Sequence, residues 1–112
     1  MVLVTRTVPE RERRAYVYSL VELTNAIRPV VVMYGARKVI LYGSYARGEA
    51  TAQSDVDLYI VAGEMGLLEA SAMSFDINDA LNSRASVTFE EFMDIPDEFR
   101  KEIARDGVVL YE

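Results

Sequence analysis

Val39-Ile-Leu-Tyr-Gly-Ser-Tyr-Ala-Arg-Gly-Glu-Ala-Thr-Ala-Gln-Ser-Asp-Val-Asp-Leu-Tyr-Ile-Val61 is the stretch whose reading decides the fold. It reads as an apolar strand, a Gly-Ser turn, a short helical or looped segment, and a second strand that opens with two acids one residue apart. A strand sends alternate side chains to opposite faces, so Asp55 and Asp57 point one way while Val56, Leu58 and Ile60 point the other, into whatever covers the sheet. Two carboxylates about 5 Å apart at an effective dielectric of about 20 repel by roughly 3 kcal/mol. A divalent cation between them removes that cost, and hard oxygen donors suit Mg²⁺.

Composition narrows the chemistry. At 112 residues the chain has room for one domain, residues 1–112, with one core. Its 51% apolar and 27% charged residues are ordinary for a globular protein, which leaves the site residues to carry the functional reading. It has no cysteine, which excludes disulfides, thiolate catalysis and zinc–thiolate sites. It has no histidine either, which removes the commonest general base and the commonest transition-metal ligand. Carboxylates, hydroxyls, Lys and Arg must do whatever chemistry there is. The net charge of −6 argues against a broad nucleic-acid surface but not against one nucleotide held through a metal. No apolar run reaches the length of a membrane span and no signal-peptide pattern opens the chain, so a cytoplasmic protein with no membrane partner is expected.

The flanking segments supply a scaffold. Thr7-Val-Pro-Glu10 has the form of a helix start, with Thr at the cap and Pro in the first turn. Val17, Leu20, Val21, Thr24, Ile27 and Val31 then follow at steps of three or four, as one apolar stripe. Pro29 should kink or end that helix near Arg28, and Gly35 should stop it. Lys38–Tyr42 reads as a buried strand. Beyond the turn at Gly63–Gly66, Leu67 to Leu81 suggests one broken or two short helices. Ala85–Phe89 reads as a third strand with Ser86 and Thr88 on one face. Thr88-Phe-Glu-Glu91 resembles a second capping box opening a short helix that Pro96 interrupts. Asp97 to Arg105 can form a further helix, and Val108–Tyr111 a terminal strand.

Gly43-Ser44, followed after ten residues by Asp55-Val-Asp57, resembles the signature of the polymerase-β-like nucleotidyltransferases. Gly-Ser-Tyr-Ala-Arg-Gly-Glu-Ala and Ser-Asp-Val-Asp-Leu are especially similar to the small minimal nucleotidyltransferases. These are single-domain proteins often paired with a helical HEPN-type partner in toxin–antitoxin modules. The resemblance implies an α+β fold, a small mixed or antiparallel sheet with helices packed on one face. It implies Mg²⁺-dependent transfer of a nucleoside monophosphate, usually AMP from ATP, to a hydroxyl. Gly43 and Ser44 would hold the β/γ-phosphates, with Arg47 within reach of the same anion. Asp55 and Asp57 would bind two Mg²⁺ ions, and a HEPN-type protein or a second copy of the chain would be the partner.

One position departs from the family pattern. A third carboxylate normally stands on a later strand, sharing a metal and helping to accept the proton of the attacking hydroxyl. In Arg84-Ala-Ser-Val-Thr-Phe the open-face slot falls to Ser86, or to Ala85 after a one-residue shift, and neither is an acid. Three readings stay open: Asp76 or Asp79 folds back to substitute, a partner chain donates the acid, or the domain binds nucleotide and transfers poorly or not at all. Tyr45 and Tyr59 fit either a site-lining role or packing.

Overall fold

The structure, a computed structural model, describes residues 16–112. Its elements in order are α1 (Leu20–Tyr34), β1 (Lys38–Tyr42), α2 (Gly43–Ala46), β2 (Val56–Val61), α3 (Leu67–Ala80), β3 (Ala85–Phe89), α4 (Asp97–Asp106) and β4 (Val108–Tyr111). The four strands form one mixed sheet in the order β3-β2-β1-β4. β1 is antiparallel to β2 and β4, and β3 is parallel to β2. The fold is α+β, as the sequence led us to expect.

Helix α1 begins later than the apolar stripe suggested. Ser19 caps it: the Glu22 amide donates to Ser19 Oγ (3.1 Å) and the Ser19 amide donates to Glu22 Oε1 (2.9 Å). Val17 precedes the helix, and Leu20 and Val21 are exposed. The buried positions are Leu23, Ile27 and Val31, four residues apart. The helix start anticipated at Thr7 lies outside the described residues. Pro29 does not end the helix, which continues to Tyr34 and stops at Gly35 in the left-handed region (φ 79°). The carbonyl that Pro29 leaves without a donor belongs to Asn25, on the exposed side, where water can satisfy it.

Helices α1 and α3 pack on each other and on the sheet face that carries Val39, Leu41, Val56, Leu58 and Ile60. Burying each such aliphatic side chain contributes about 1.5–3 kcal/mol, so this face sets the strand register. Leu41 pairs with Leu58 on the buried side, which forces Tyr42 and Asp57 to pair on the other. Leu67 to Ala80 is a single helix: its buried residues Ala70, Met73 and Ile77 keep one stripe throughout.

The second capping box does not form, and residues 90–96 are turn and coil. Both of its side chains are engaged elsewhere. The Glu91 carboxylate accepts the amides of Ala62 and Gly63 (2.9 Å each), and the Thr88 hydroxyl pairs with the Tyr42 hydroxyl (3.3 Å). Helix α4 instead reaches the face opposite α1 and α3, where the Phe99 ring stands edge-on to Tyr42 at 4.8 Å.

Candidate active site

The turn after β1 and the start of β2 are brought together by strand pairing. Tyr42 pairs with Asp57, so Gly43 lies directly against the Asp57 carboxylate. Gly43 has φ 72°, and a Cβ at that position would overlap the carboxylate. Glycine therefore answers two demands at once, a left-handed backbone and a close approach. The chain then makes the single turn of α2, where the Arg47 amide donates to the Gly43 carbonyl (3.2 Å) and the Glu49 amide to the Ser44 carbonyl (2.9 Å).

Asp57 is half-buried on β2, and Asp55 is exposed just before the strand. The Asp57 carboxyl is held above the ordinary carboxylate range by burial first, then by the negative charges of Asp55 and Glu102; the Arg47 guanidinium opposes this. Charge repulsion and desolvation thus act together on one group. Arg47 is itself tied to two acids, donating through Nε to Glu49 (3.1 Å) and through Nη1 to Glu102 on α4 (3.4 Å). Tyr42 stands opposite Asp57 on β1. Its phenol is raised by burial, and Asp57 and Glu102 add to the shift against the opposing Thr88 hydrogen bond.

Ser86 pairs with Asp57 across the parallel β2–β3 ladder and is exposed. The strand register therefore puts a hydroxyl, not an acid, beside Asp57. Asp76 and Asp79 stay with the helical layer: Asp76 accepts the Tyr34 hydroxyl (2.6 Å), and Asp79 lines a groove with Phe75 and Asn78 on α3. Among the described residues no three acids, histidines or cysteines are grouped to hold a metal. The donor set is two carboxylates. It fits Mg²⁺, which is commonly held by one or two carboxylates with substrate phosphates and waters completing its shell.

Tyr45 and Tyr59 are both buried. Tyr45 belongs to the core, and the Tyr59 hydroxyl donates to Glu90 (2.9 Å). The sequence reading missed Glu102 and Arg84. Glu102 comes from a helix some forty-five residues beyond Asp57, with no local signal. Arg84 is a charged residue buried to 8% exposure, announced only by its place before a strand.

Comparisons with known proteins agree with this geometry. The family model described as "Polymerase beta, Nucleotidyltransferase" matches residues 25–112. A protein of Methanocaldococcus jannaschii, named as a candidate protein adenylyltransferase, is 28% identical over 67 residues, 59% of this chain and 72% of its own. A solved structure described as a candidate minimal nucleotidyltransferase superposes with a TM-score of 0.66 at 26% identity, covering 81% of this chain and 95% of that one. A chain from the complex of a tri-AMPylated Shewanella oneidensis HEPN toxin with its MNT antitoxin shares the fold. Its TM-score is 0.61 at 14% identity, over 83% of this chain and 72% of that one. With the Gly-Ser turn, the paired acids and the sheet that joins them all in place, the chain belongs to the polymerase-β nucleotidyltransferase family and has the fold of its minimal nucleotidyltransferases.

Proposed function

We propose that this protein is a Mg²⁺-dependent nucleotidyltransferase that moves AMP from ATP to a hydroxyl on a protein partner of the HEPN type. The observation that carries the reading is the contact of Gly43 with Asp57, which sets the Gly43–Ser44 turn beside the acid of β2. In this reading Gly43 and Ser44 hold the β/γ-phosphates, and Arg47 exchanges Glu49 or Glu102 for the triphosphate. Asp55 and Asp57 hold the metal. When bound, Mg²⁺ neutralises charge on the phosphates and lowers the pKa of the attacking hydroxyl. The hydroxyl oxygen attacks the α-phosphorus as its proton passes to water, the bond from the α-phosphorus to the α–β bridging oxygen breaks, and pyrophosphate leaves. The likeness to the AMPylated toxin complex supports the choice of AMP and of a protein hydroxyl. The helical layer leaves Met33, Leu67, Leu68 and Phe75 exposed, apolar surface of the kind a protein partner covers.

A second reading is favoured by Ser86. With a hydroxyl in the third acid's place, the protein is a binding subunit that holds nucleotide and partner while transferring slowly. Loss of a positioned general base costs about 10²–10⁴ in rate. Calorimetry of ATP binding tests the part common to both readings: wild type binds ATP with Mg²⁺ and not with chelator, and Asp57→Asn abolishes the metal-dependent part. ATP binding that ignores both changes would reject the assignment of the acids. The two readings separate on whether a HEPN-type partner becomes labelled by ATP or is only bound.

A further inference from the structure

Asp55 poses a problem of position. It is exposed and precedes the first residue of β2, so the strand ladder does not hold it. Both of its neighbours are bound to one residue. The Val56 amide donates to the Arg84 carbonyl (2.8 Å), and Arg84 Nη2 donates to the Ser54 carbonyl (2.9 Å). The same Nη2 donates to the Tyr45 hydroxyl (3.1 Å), one residue beyond Ser44 in the phosphate-side turn. Nη1 donates to the Tyr16 carbonyl, and the guanidinium lies 5.2 Å from the centre of the Tyr18 ring. Two protons on Nη2 meet two acceptors, so the fork is well used. A lysine ammonium lacks the planar geometry to reach these acceptors together.

The chain goes to some trouble to place this group. Asn82 and Ser83, after α3, both have left-handed φ values, 56° and 63°. Such strain in non-glycine residues persists only where the surroundings hold it. Here the Ser83 amide donates to the Asn78 carbonyl and Asn78 Oδ1 accepts the Ala85 amide, turning the chain so that Arg84 enters the interior.

We propose that Arg84 is a positioning residue that holds Asp55 and the Gly43–Ser44 turn in one frame, so that the acid pair meets the metal–nucleotide complex preassembled. The proposal rests on the reading of Asp55 and Asp57 as metal-binding acids. The Arg84 side chain acts through Ser54 and Tyr45, and its backbone carbonyl holds Val56. Partners that orient metal ligands from behind typically change metal affinity or activity about 10–100-fold when lost.

The test uses the full chain and the variants Arg84→Met, Arg84→Lys and Tyr45→Phe, with two readouts on folded protein. One is affinity for Mn²⁺, alone and with ATP, followed by the paramagnetic signal of the free ion. The other is the NMR order parameter of the Ser54 and Asp55 amides. Both Arg84 variants should weaken Mn²⁺ binding about 10–100-fold, with the order parameters falling from about 0.85 to below about 0.6. Tyr45→Phe, which keeps the ring and the core, loses the bonds of its hydroxyl to Arg84 and to the Tyr18 amide but keeps that of Arg84 to Ser54; it should leave Mn²⁺ alone bound as in wild type but weaken Mn²⁺·ATP by at least about threefold. A folded Arg84 variant with affinity within about twofold of wild type and an unchanged order parameter would reduce Arg84 to a fold-stabilising residue and overturn the proposal. If the Arg84 variants do not fold, unchanged Mn²⁺·ATP binding by Tyr45→Phe overturns it. If wild type itself binds no Mn²⁺, the reading of the acids fails, and the proposal that rests on it falls with it.

Discussion

Replacing Ser86 by Asp supplies a third carboxylate at the position the sheet register places beside Asp57. Neighbouring parallel strands lie about 4.8 Å apart, so the new carboxylate stands about 5 Å from that of Asp57. The repulsion is about 3 kcal/mol at an effective dielectric of 20 and about 1 kcal/mol in water. Ser86 is exposed, which favours the lower part of that range. Without a divalent cation Ser86→Asp should lose about 1–2 kcal/mol, a fall in Tm of roughly 4–12 °C for a chain of this size. Mg²⁺ should reverse the loss: at one Mg²⁺ concentration the third carboxylate gives the variant a lower Kd, and each tenfold of tightening adds about 1.4 kcal/mol to the ion's contribution. The assay is thermal unfolding of wild type and Ser86→Asp, with Mg²⁺ or with NaCl at equal ionic strength. The Mg²⁺-dependent rise in Tm must be larger in the variant. Equal rises in the two proteins, or no loss in the variant without metal, would refute the placement of Ser86 at the metal site.

Gly43→Ala should destabilise the protein by about 2 kcal/mol or more, from the left-handed backbone alone, and should abolish Mg²⁺·ATP binding because the added methyl displaces Asp57; chemical denaturation and calorimetry check both. Asp57→Asn should raise stability at neutral pH in the absence of metal. The native carboxyl is held above its ordinary 3.8 by burial, so the folded state binds the proton more tightly and stability is lost as pH rises through the native pKa. The advantage of the variant should therefore disappear as pH falls below 3.8, as unfolding curves across that range would show. Phe99→Ala should cost about 2 kcal/mol, since α4 has no fully buried residue and meets the sheet through the Phe99 contacts with Tyr42 and Tyr59. Hydrogen exchange should then report faster opening of α4 than of α1.

Much of the fold can be read from short-range pattern. Lys38–Tyr42, Ala85–Phe89 and Val108–Tyr111 are strands with the anticipated bounds, because each is an apolar, β-rich run between turn residues. The Gly-Ser turn and the two acids are marked in the sequence by their likeness to the nucleotidyltransferase signature, and strand pairing brings Gly43 against Asp57. The misreadings have physical causes. The apolar stripe read from Val17 starts too early because Ser19 and Glu22 close a capping box, so the helix begins at Leu20 and buries Leu23, Ile27 and Val31. Thr88 and Glu91 look like a cap until the sheet gives them Tyr42 and the Ala62–Gly63 amides as partners. Glu102 and Arg84 reach the site through tertiary packing, which no periodicity records. The acid missing at Ser86 is visible in the sequence, but its place beside Asp57 needs the parallel register.

In the proposed function Asp55 and Asp57 serve transfer of a nucleotidyl group. The most direct measurement follows ATP labelled either at the α- or at the γ-phosphate, with Mg²⁺ and a HEPN-type partner, for wild type and Asp57→Asn. Wild type should give protein-bound label from the α-position only and release pyrophosphate in equal amount, and Asp57→Asn should lose both. Label arriving from the γ-phosphate, or α-label that survives Asp57→Asn, would contradict it.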